Sequence, residues 1–458
     1  MVIILAFLIL AVFAPCFLIK DYILYAFVVF YPIMPEYFAL DLGSSIPLLT
    51  MSRILIGILT VYTVLRGKLS PVIRFRLSGA EGKLTRYLIL FFVAEVLVAL
   101  PHFSSSDSVK EMMLSLLEKA WMAYLLSRLI DTEQKLHNCV KYLAYASVIV
   151  CVGGLIETFT GNNPFYFFST AERELTMANY TRLGVTRAES TLGHPISFSV
   201  YLLLVLPFVM YLYDRKTGKI VWAILLLAVA SLFVTISRAS ILVFLVMFLW
   251  MMMEKRRQIW ARYRNMLLLL GLVLVFLIIF SPNLLELFGN IFIALLNVLG
   301  ADIELDNFGR NATGVASRLW QIQLISHTFE NFPLFGGGAN YIYNHDVFIH
   351  NGRKLAIATS IDNEYLLTLI DKGLVGLLAK LTLYIGLLTT AWKHRKQDLL
   401  GQAFAYAFAM YFVSIIAVCE LTSAKMLWIV IALFMVYLRE TRIAQTNLKV
   451  HENEQRKT

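Results

Sequence analysis

The chain has 458 residues, of which 59% are apolar and only 15% are charged. A soluble chain of this length needs about 25% charged residues to cover its domain surfaces, and this one lacks them. Disorder, collagen and a disulfide scaffold are excluded by the same figures. What remains is an all-α polytopic membrane protein, because the apolar runs are continuous rather than alternating as in a membrane barrel.

A helix needs about 20 apolar residues to cross the hydrocarbon. In chain order the sequence predicts spans near 2–19, 22–40, 47–65, 84–101, 109–129, 138–158 and 195–213. Further spans are predicted near 219–236, 239–253, 265–281, 372–392, 403–420 and 424–438. The total is thirteen, or twelve if the first two runs form a short hairpin. No basic residues precede the first run, so it reads as a retained segment rather than a cleaved signal.

The net charge is +10, from 40 Lys and Arg against 30 Asp and Glu. Its placement points to topology, and nucleic acid is set aside as a partner. Arg66, Lys68, Arg74, Arg76, Lys83 and Arg86 share one connector. Arg215, Lys216 and Lys219 share a second, Lys255 to Arg264 a third, and Lys393, Arg395 and Lys396 a fourth. All four follow odd-numbered spans and so share one side, read as cytoplasmic. Residues 1–438 then form one transmembrane domain and 439–458 a cytoplasmic tail. Cys16, Cys139, Cys151 and Cys419 sit in or beside apolar runs and read as small packing residues.

Two loops on the opposite side are long, at 160–194 and 281–363, the second between the tenth and eleventh spans. Loops beyond about 15 residues are usually functional or disordered. The second carries apolar residues at helical spacing over Ser317–Ser326, with Pro333 and Gly336-Gly337-Gly338 to stop the helix. It predicts an amphipathic helix on the membrane face.

Ionisable groups inside the spans cost about 2.5–3.5 kcal/mol each on insertion scales. Glu95, Glu118, Lys119 and Lys380 lie deepest. They read either as interhelical ion pairs or as a polar cleft, the second being what a transporter wants at the midplane.

The outer loops hold charges in informative places. Arg187 and His194-Pro195 precede the seventh span, and Arg238 sits in Thr235-Ile236-Ser237-Arg238-Ala239-Ser240, a short outer turn. Arg318 opens the surface helix, and Asp362-Asn363-Glu364 precedes the eleventh span. Arg in a short outer turn opposes the positive-inside bias. Guanidinium suits bidentate contact with diphosphate. Each arginine alone is equally explained by a lipid headgroup or a nearby Glu, whereas the set beside a large loop favours a lipid-linked diphosphate site.

The turn at Thr235–Ser240 resembles the T-x-S-R-(G/A) turn of the bacterial O-antigen ligase and O-antigen/exopolysaccharide polymerase superfamily. Arg187 with Gly193-His194-Pro195 resembles its Arg…Gly-(Asn/His)-Pro segment. Arg318-Leu319-Trp320 followed by Asn331-Phe332-Pro333-Leu334-Phe335-Gly336-Gly337-Gly338 resembles its R-x-x-W…hPl-x-G-x-G loop, with the Arg–Trp spacing one residue shorter. Asp362-Asn363-Glu364-Tyr365-Leu366 with Lys372-Gly373-Leu374-Val375-Gly376 resembles its (H/D)-N-x-Y-L…G-(L/V)-(L/V)-G segment. The four segments fall in order over about 180–380.

The resemblance implies a metal- and cofactor-free membrane glycosyltransferase of GT-C type in the bacterial inner membrane, active on the outer face. Its donor would be an undecaprenyl-diphosphate-linked glycan, with membrane lipid, a chain-length regulator and a flippase as partners. Arg187, Arg238 and Arg318 would hold diphosphate, and Asp362, Glu364 and His194 are the candidate bases. Asn363, Tyr365 and Trp320 would support them. Where the ligases carry His, this chain has Asp362, which favours the polymerase branch. The alternatives are an O-antigen ligase acting on lipid A-core and, from another class, a polysaccharide or lipid transporter.

Overall fold

The computed structural model describes residues 21–41, 47–68, 79–170, 180–182, 185–215, 218, 220–254, 321–350, 355–358 and 360–455. The chain is mostly helical. Its helices are α1 (Tyr22–Ile33), α2 (Met51–Leu65), α3 (Gly79–Ala99), α4 (Ser106–Ser115) and α5 (Met122–Leu129). They continue as α6 (Glu133–Thr160), α7 (Pro195–Asp214), α8 (Ile220–Val234), α9 (Arg238–Glu254) and α10 (Gln323–Asn331). The last are α11 (Tyr341–Asn344), α12 (Glu364–His394), α13 (Leu399–Ser414) and α14 (Ala424–Gln455). Three two-stranded antiparallel ladders pair Ala39–Leu40 with Leu49–Thr50, Thr181–Arg182 with Val185–Thr186, and Phe348–His350 with Leu355–Ile357.

Among the described residues five helical segments are long and apolar enough to cross a membrane: 79–102, 133–160, 195–214, 364–394 and 421–446. Five shorter apolar helices, at 22–33, 51–65, 220–234, 238–251 and 399–414, coincide with further predicted spans. The predicted spans 2–19 and 265–281 lie outside the described residues. Helix α7 is apolar on every side and almost wholly buried. Such a helix belongs at the centre of a bundle. It packs on α6, α8 and α13, and Phe198, Tyr201, Phe208 and Phe404 fill the space between.

Three predicted elements differ in detail. The span predicted at 22–40 stops at Ile33, because Met34 precedes Pro35 and turns extended (ψ 115°). The span at 109–129 is interrupted by a π-helical stretch, Leu116–Trp121. The tail predicted after 438 instead prolongs α14 to Gln455. There Arg439 donates to the Ser127 carbonyl at 2.9 Å and Arg442 pairs with Glu81 at 2.7 Å, which holds the helix against the bundle.

The two ends of the bundle differ in charge. At one end Lys68, Arg128, Arg215, Lys393 and Arg395 lie at helix termini and connectors, with Arg439 and Arg442 of α14 beside them. At the other end the Arg187–Leu192 stretch, the Thr235–Ser240 turn, the start of α12 and the 415–423 connector come together. Helix α10 lies there too. Leu324 points into a small core with Ile342, Ile361 and Ile370, while Ile322, Ile325 and Phe329 are exposed.

Candidate functional site

Arg187 is brought against the turn that carries Arg238. Its Nε donates to the Thr235 carbonyl at 3.0 Å, and the neighbouring Ala188 N–H donates to the Val234 carbonyl at 3.3 Å. The turn is built by its own hydroxyls. Thr235 Oγ1 accepts from Ser237 N at 3.3 Å, Ser237 donates to Ser240 at 3.2 Å, and Ser240 meets Ser199 of α7 at 2.7 Å. Ile236 is held at φ 50°, a left-handed conformation that a β-branched residue avoids. Both arginines are half-buried.

His194 is the N-cap of α7, and its Nδ1 accepts from Ile196 N at 3.1 Å. A protonated imidazole cannot accept at that nitrogen. Burial, and then the charge of Arg187, lower its pKa to about 4. Glu189 is buried within the same loop. Tyr166 donates to Glu189 Oε1, and the Glu157 carboxylate accepts the N–H groups of Glu189 and Ser190 at 3.0 and 2.8 Å. Burial, together with the charge of Glu157 and against the hydrogen bonds from Tyr166 and Asn163, pushes the Glu189 carboxyl up to about 8.

The two groups have opposite linkage. Between pH 6.5 and about 4 the unfolded chain binds a proton at His194 that the folded chain refuses, so stability falls as pH drops. Between pH 4.5 and about 8 the folded chain keeps a proton on Glu189 that the unfolded chain releases, so stability falls as pH rises. Glu189→Gln is therefore expected to flatten the loss of stability between pH 5 and 8.5, read as the unfolding midpoint in detergent. Parallel curves for the two proteins would contradict this.

The second part of the site is the corner before α12. Asn363 caps that helix, its Oδ1 accepting from Tyr365 N and Leu366 N at 2.9 and 3.0 Å. Asp362 N donates to Gln321 Oε1 at 3.1 Å, and Tyr365 donates to the Phe412 carbonyl at 3.1 Å. Arg318 and Trp320 lie outside the described residues. Gln321, the residue after Trp320, ties the following chain to Asp362 and, through Nε2, to the Ser360 carbonyl at 3.1 Å.

Glu364 has a fixed set of partners. It pairs with Lys380, which also pairs with Glu420 at 3.0 Å, and it accepts from Glu420 N at 3.0 Å. In a straight helix residues sixteen apart would be separated by about 24 Å, beyond the reach of two side chains. The pair forms because α12 breaks at Gly373 (φ 62°, ψ −165°). The break falls where the sequence predicts the eleventh span to begin. Removing the ammonium with Lys380→Met leaves two carboxylates facing each other in a buried place. The expected cost is about 3–5 kcal/mol of stability, measured by unfolding in detergent. An unchanged midpoint would mean that neither carboxylate depends on Lys380.

The break receives the Pro333–Gly338 loop. Leu374 N and Val375 N donate to the Pro333 and Leu334 carbonyls at 2.9 and 3.1 Å. Gly337 N and Gly338 N donate to the Ile370 and Asp371 carbonyls at 2.8 and 3.1 Å. Two motif segments forty residues apart thus satisfy each other's backbone.

A connector joins the two parts. Thr422 donates to the Leu192 carbonyl at 2.5 Å, and Cys419 Sγ–H to the Ile361 carbonyl at 2.7 Å. The arginine side and the Asp362 side are therefore held through residues 415–423. Sequence reasoning missed Glu189 as a member, and it missed that Lys380 and Glu420 complete the Glu364 corner. Glu189 lies in a loop, Glu420 at a span end and Lys380 inside a span, and none of these positions carries information about its partner.

The deep charges form both pairs and a cleft. Arg53 meets Glu118 at 2.6 Å, Lys372 meets Glu95 at 3.0 Å and Glu111 at 2.8 Å, and Lys425 meets Glu36 at 3.7 Å. A cleft of about 700 Å³, open solvent at its mouth included, runs among α3, α4, the π stretch, α12 and the start of α14.

Compared with known proteins, residues 222–381 match the family described as O-Antigen ligase, whose members are glycosyltransferase-like enzymes. No curated protein matches the chain. The long apolar helices and this match mark the chain as a multi-pass membrane protein. The match over residues 222–381 supports the O-antigen ligase and polymerase superfamily for this chain.

Proposed function

We propose that the protein is a polysaccharide polymerase on the outer face of the bacterial inner membrane. It transfers a growing glycan from one undecaprenyl diphosphate to the sugar end of another lipid-linked repeat unit. The observation that carries this reading is the Arg187–Thr235 hydrogen bond, which sets two arginine-bearing segments side by side at the end of the bundle opposite the basic connectors.

In the transfer, the acceptor hydroxyl gives its proton to Asp362 as its oxygen bonds to the donor's anomeric carbon. The bond from that carbon to the diphosphate breaks, and the electron pair leaves on undecaprenyl diphosphate. Arg187, Arg238 and Arg318 stabilise the charge as it develops, which lowers the barrier without a metal. Asp362 suits the base better than Glu364, whose carboxylate already serves Lys380 and Glu420. His194 serves as a cap at Nδ1 and orients the loop that carries Arg187. Asn363 and Tyr365 hold Asp362 in place through the helix cap and the Phe412 contact.

The description of the matched family favours one rival, ligation of the finished glycan to lipid A-core. The test is purified protein in nanodiscs, given the undecaprenyl-diphosphate-linked repeat unit alone or with lipid A-core. A ladder of lipid-linked products from the repeat unit alone supports polymerisation. Product formed only when lipid A-core is present would replace it with ligation.

A further inference from the structure

The cleft beside the Asp362 corner is not used by the transfer just described. Five carboxylates and three lysines line it, so the formal charge of its walls with every group ionised is −2. Lys380 is taken by Glu364 and Glu420, and Lys372 by Glu95 and Glu111. Lys119 has no carboxylate within ion-pair distance among the described residues; its ammonium lies 5.9 Å from the centre of the Phe91 ring. Phe91, Tyr384 and Trp428 supply aromatic lining.

These features select a ligand class. Net negative walls repel a diphosphate or phosphate. Lysines set between the carboxylates spoil the all-oxygen shell that a hard divalent cation wants. A purely apolar ligand would bury this many charges without compensation. A pyranose meets all three conditions. Its hydroxyls donate to carboxylates with spare lone pairs and accept from ammonium groups. Its C–H face rests on the negative face of an aromatic ring.

Position connects the cleft to the chemistry. Glu364 lines the cleft two residues after Asp362. Asp371 is a wall of the cleft.

From this juxtaposition we infer that the cleft among α3, the π stretch, α12 and α14 is the subsite for uncharged sugar residues of the acceptor. The inference rests on the polymerase reading for the word acceptor, and on the cleft alone for the sugar. The arginines take the diphosphate, and the carboxylates, Lys119 and the aromatic rings take the sugar.

The test uses full-length protein in nanodiscs and, as probe, the repeat-unit oligosaccharide freed from its lipid by mild acid. Lys119→Gln and Glu111→Gln are each expected to weaken its binding about tenfold, because each removes a charged hydrogen-bonding partner. Binding of farnesyl diphosphate should stay unchanged in both. In transfer assays the acceptor KM should rise about tenfold with kcat within about twofold. Unchanged oligosaccharide affinity in both correctly folded variants, or no binding by the wild type, would overturn the subsite. If the wild type binds the oligosaccharide, loses it in the variants and yet makes no polymer, the subsite stands and the polymerase reading falls.

Discussion

Replacing Arg238 by Ala is expected to slow glycan transfer about 10²–10³-fold, the usual cost of removing one group that meets developing negative charge. Diphosphate gains charge as the glycosidic carbon departs, so the interaction is stronger in the transition state than in the bound donor. The loss should therefore fall on kcat as well as on kcat/KM. Arg238→Lys keeps the charge but loses the planar fork, and it should recover only part of the rate. Arg187→Ala should behave similarly, with an added effect on the turn because its Nε bonds to Thr235. Release of undecaprenyl diphosphate by purified protein measures the rate. An Arg238→Ala rate within twofold of wild type would place the diphosphate elsewhere.

Gly373→Ala is expected to destabilise the protein by about 1–3 kcal/mol from backbone strain alone, since φ 62° with ψ −165° is a region kept almost to glycine. A Cβ there also collides with the Leu334 carbonyl, and a Cβ on Gly336 collides with the backbone of Asp371 and Lys372. Neither neighbour can swing away, because both are main chain locked in the loop-to-helix bonds. The substitution should also straighten α12 and pull Glu364 away from Lys380. Both effects predict a lower unfolding midpoint and lost activity in Gly373→Ala, whereas Gly57→Ala, with open space around its Cβ, should be silent. Equal midpoints for the two variants would mean that the break is not imposed by the loop.

The sequence made some of this legible. Runs of about 20 apolar residues mark helices because the hydrocarbon leaves the backbone no other partner. Arg238 stood out because it opposes the charge bias of its own loop, and the structure sets its turn against Arg187 through the Thr235 carbonyl. The N-cap role of Asn363 follows from its residue type ahead of an apolar run. Other features were not legible. Glu364 and Lys380 are sixteen residues apart, a spacing that puts them far apart on a straight helix. Their pairing needs the break at Gly373, and the break needs a loop forty residues earlier. The glycines in both motifs were visible, but nothing local says that one glycine segment fits the other. The ion pairs Arg53–Glu118 and Lys372–Glu95 join groups 65 and 277 residues apart, so only packing decides them. The cleft escapes sequence reading for the same reason, since its walls come from four separate regions of the chain.

The central claim is that the arginine turn and the Asp362 corner together polymerise lipid-linked repeats. Its most direct test is glycan chain length in cells carrying Arg238→Ala or Asp362→Ala, after membrane insertion of each variant is confirmed. Single repeat units should accumulate in both. Full-length polymer from both variants would contradict the account.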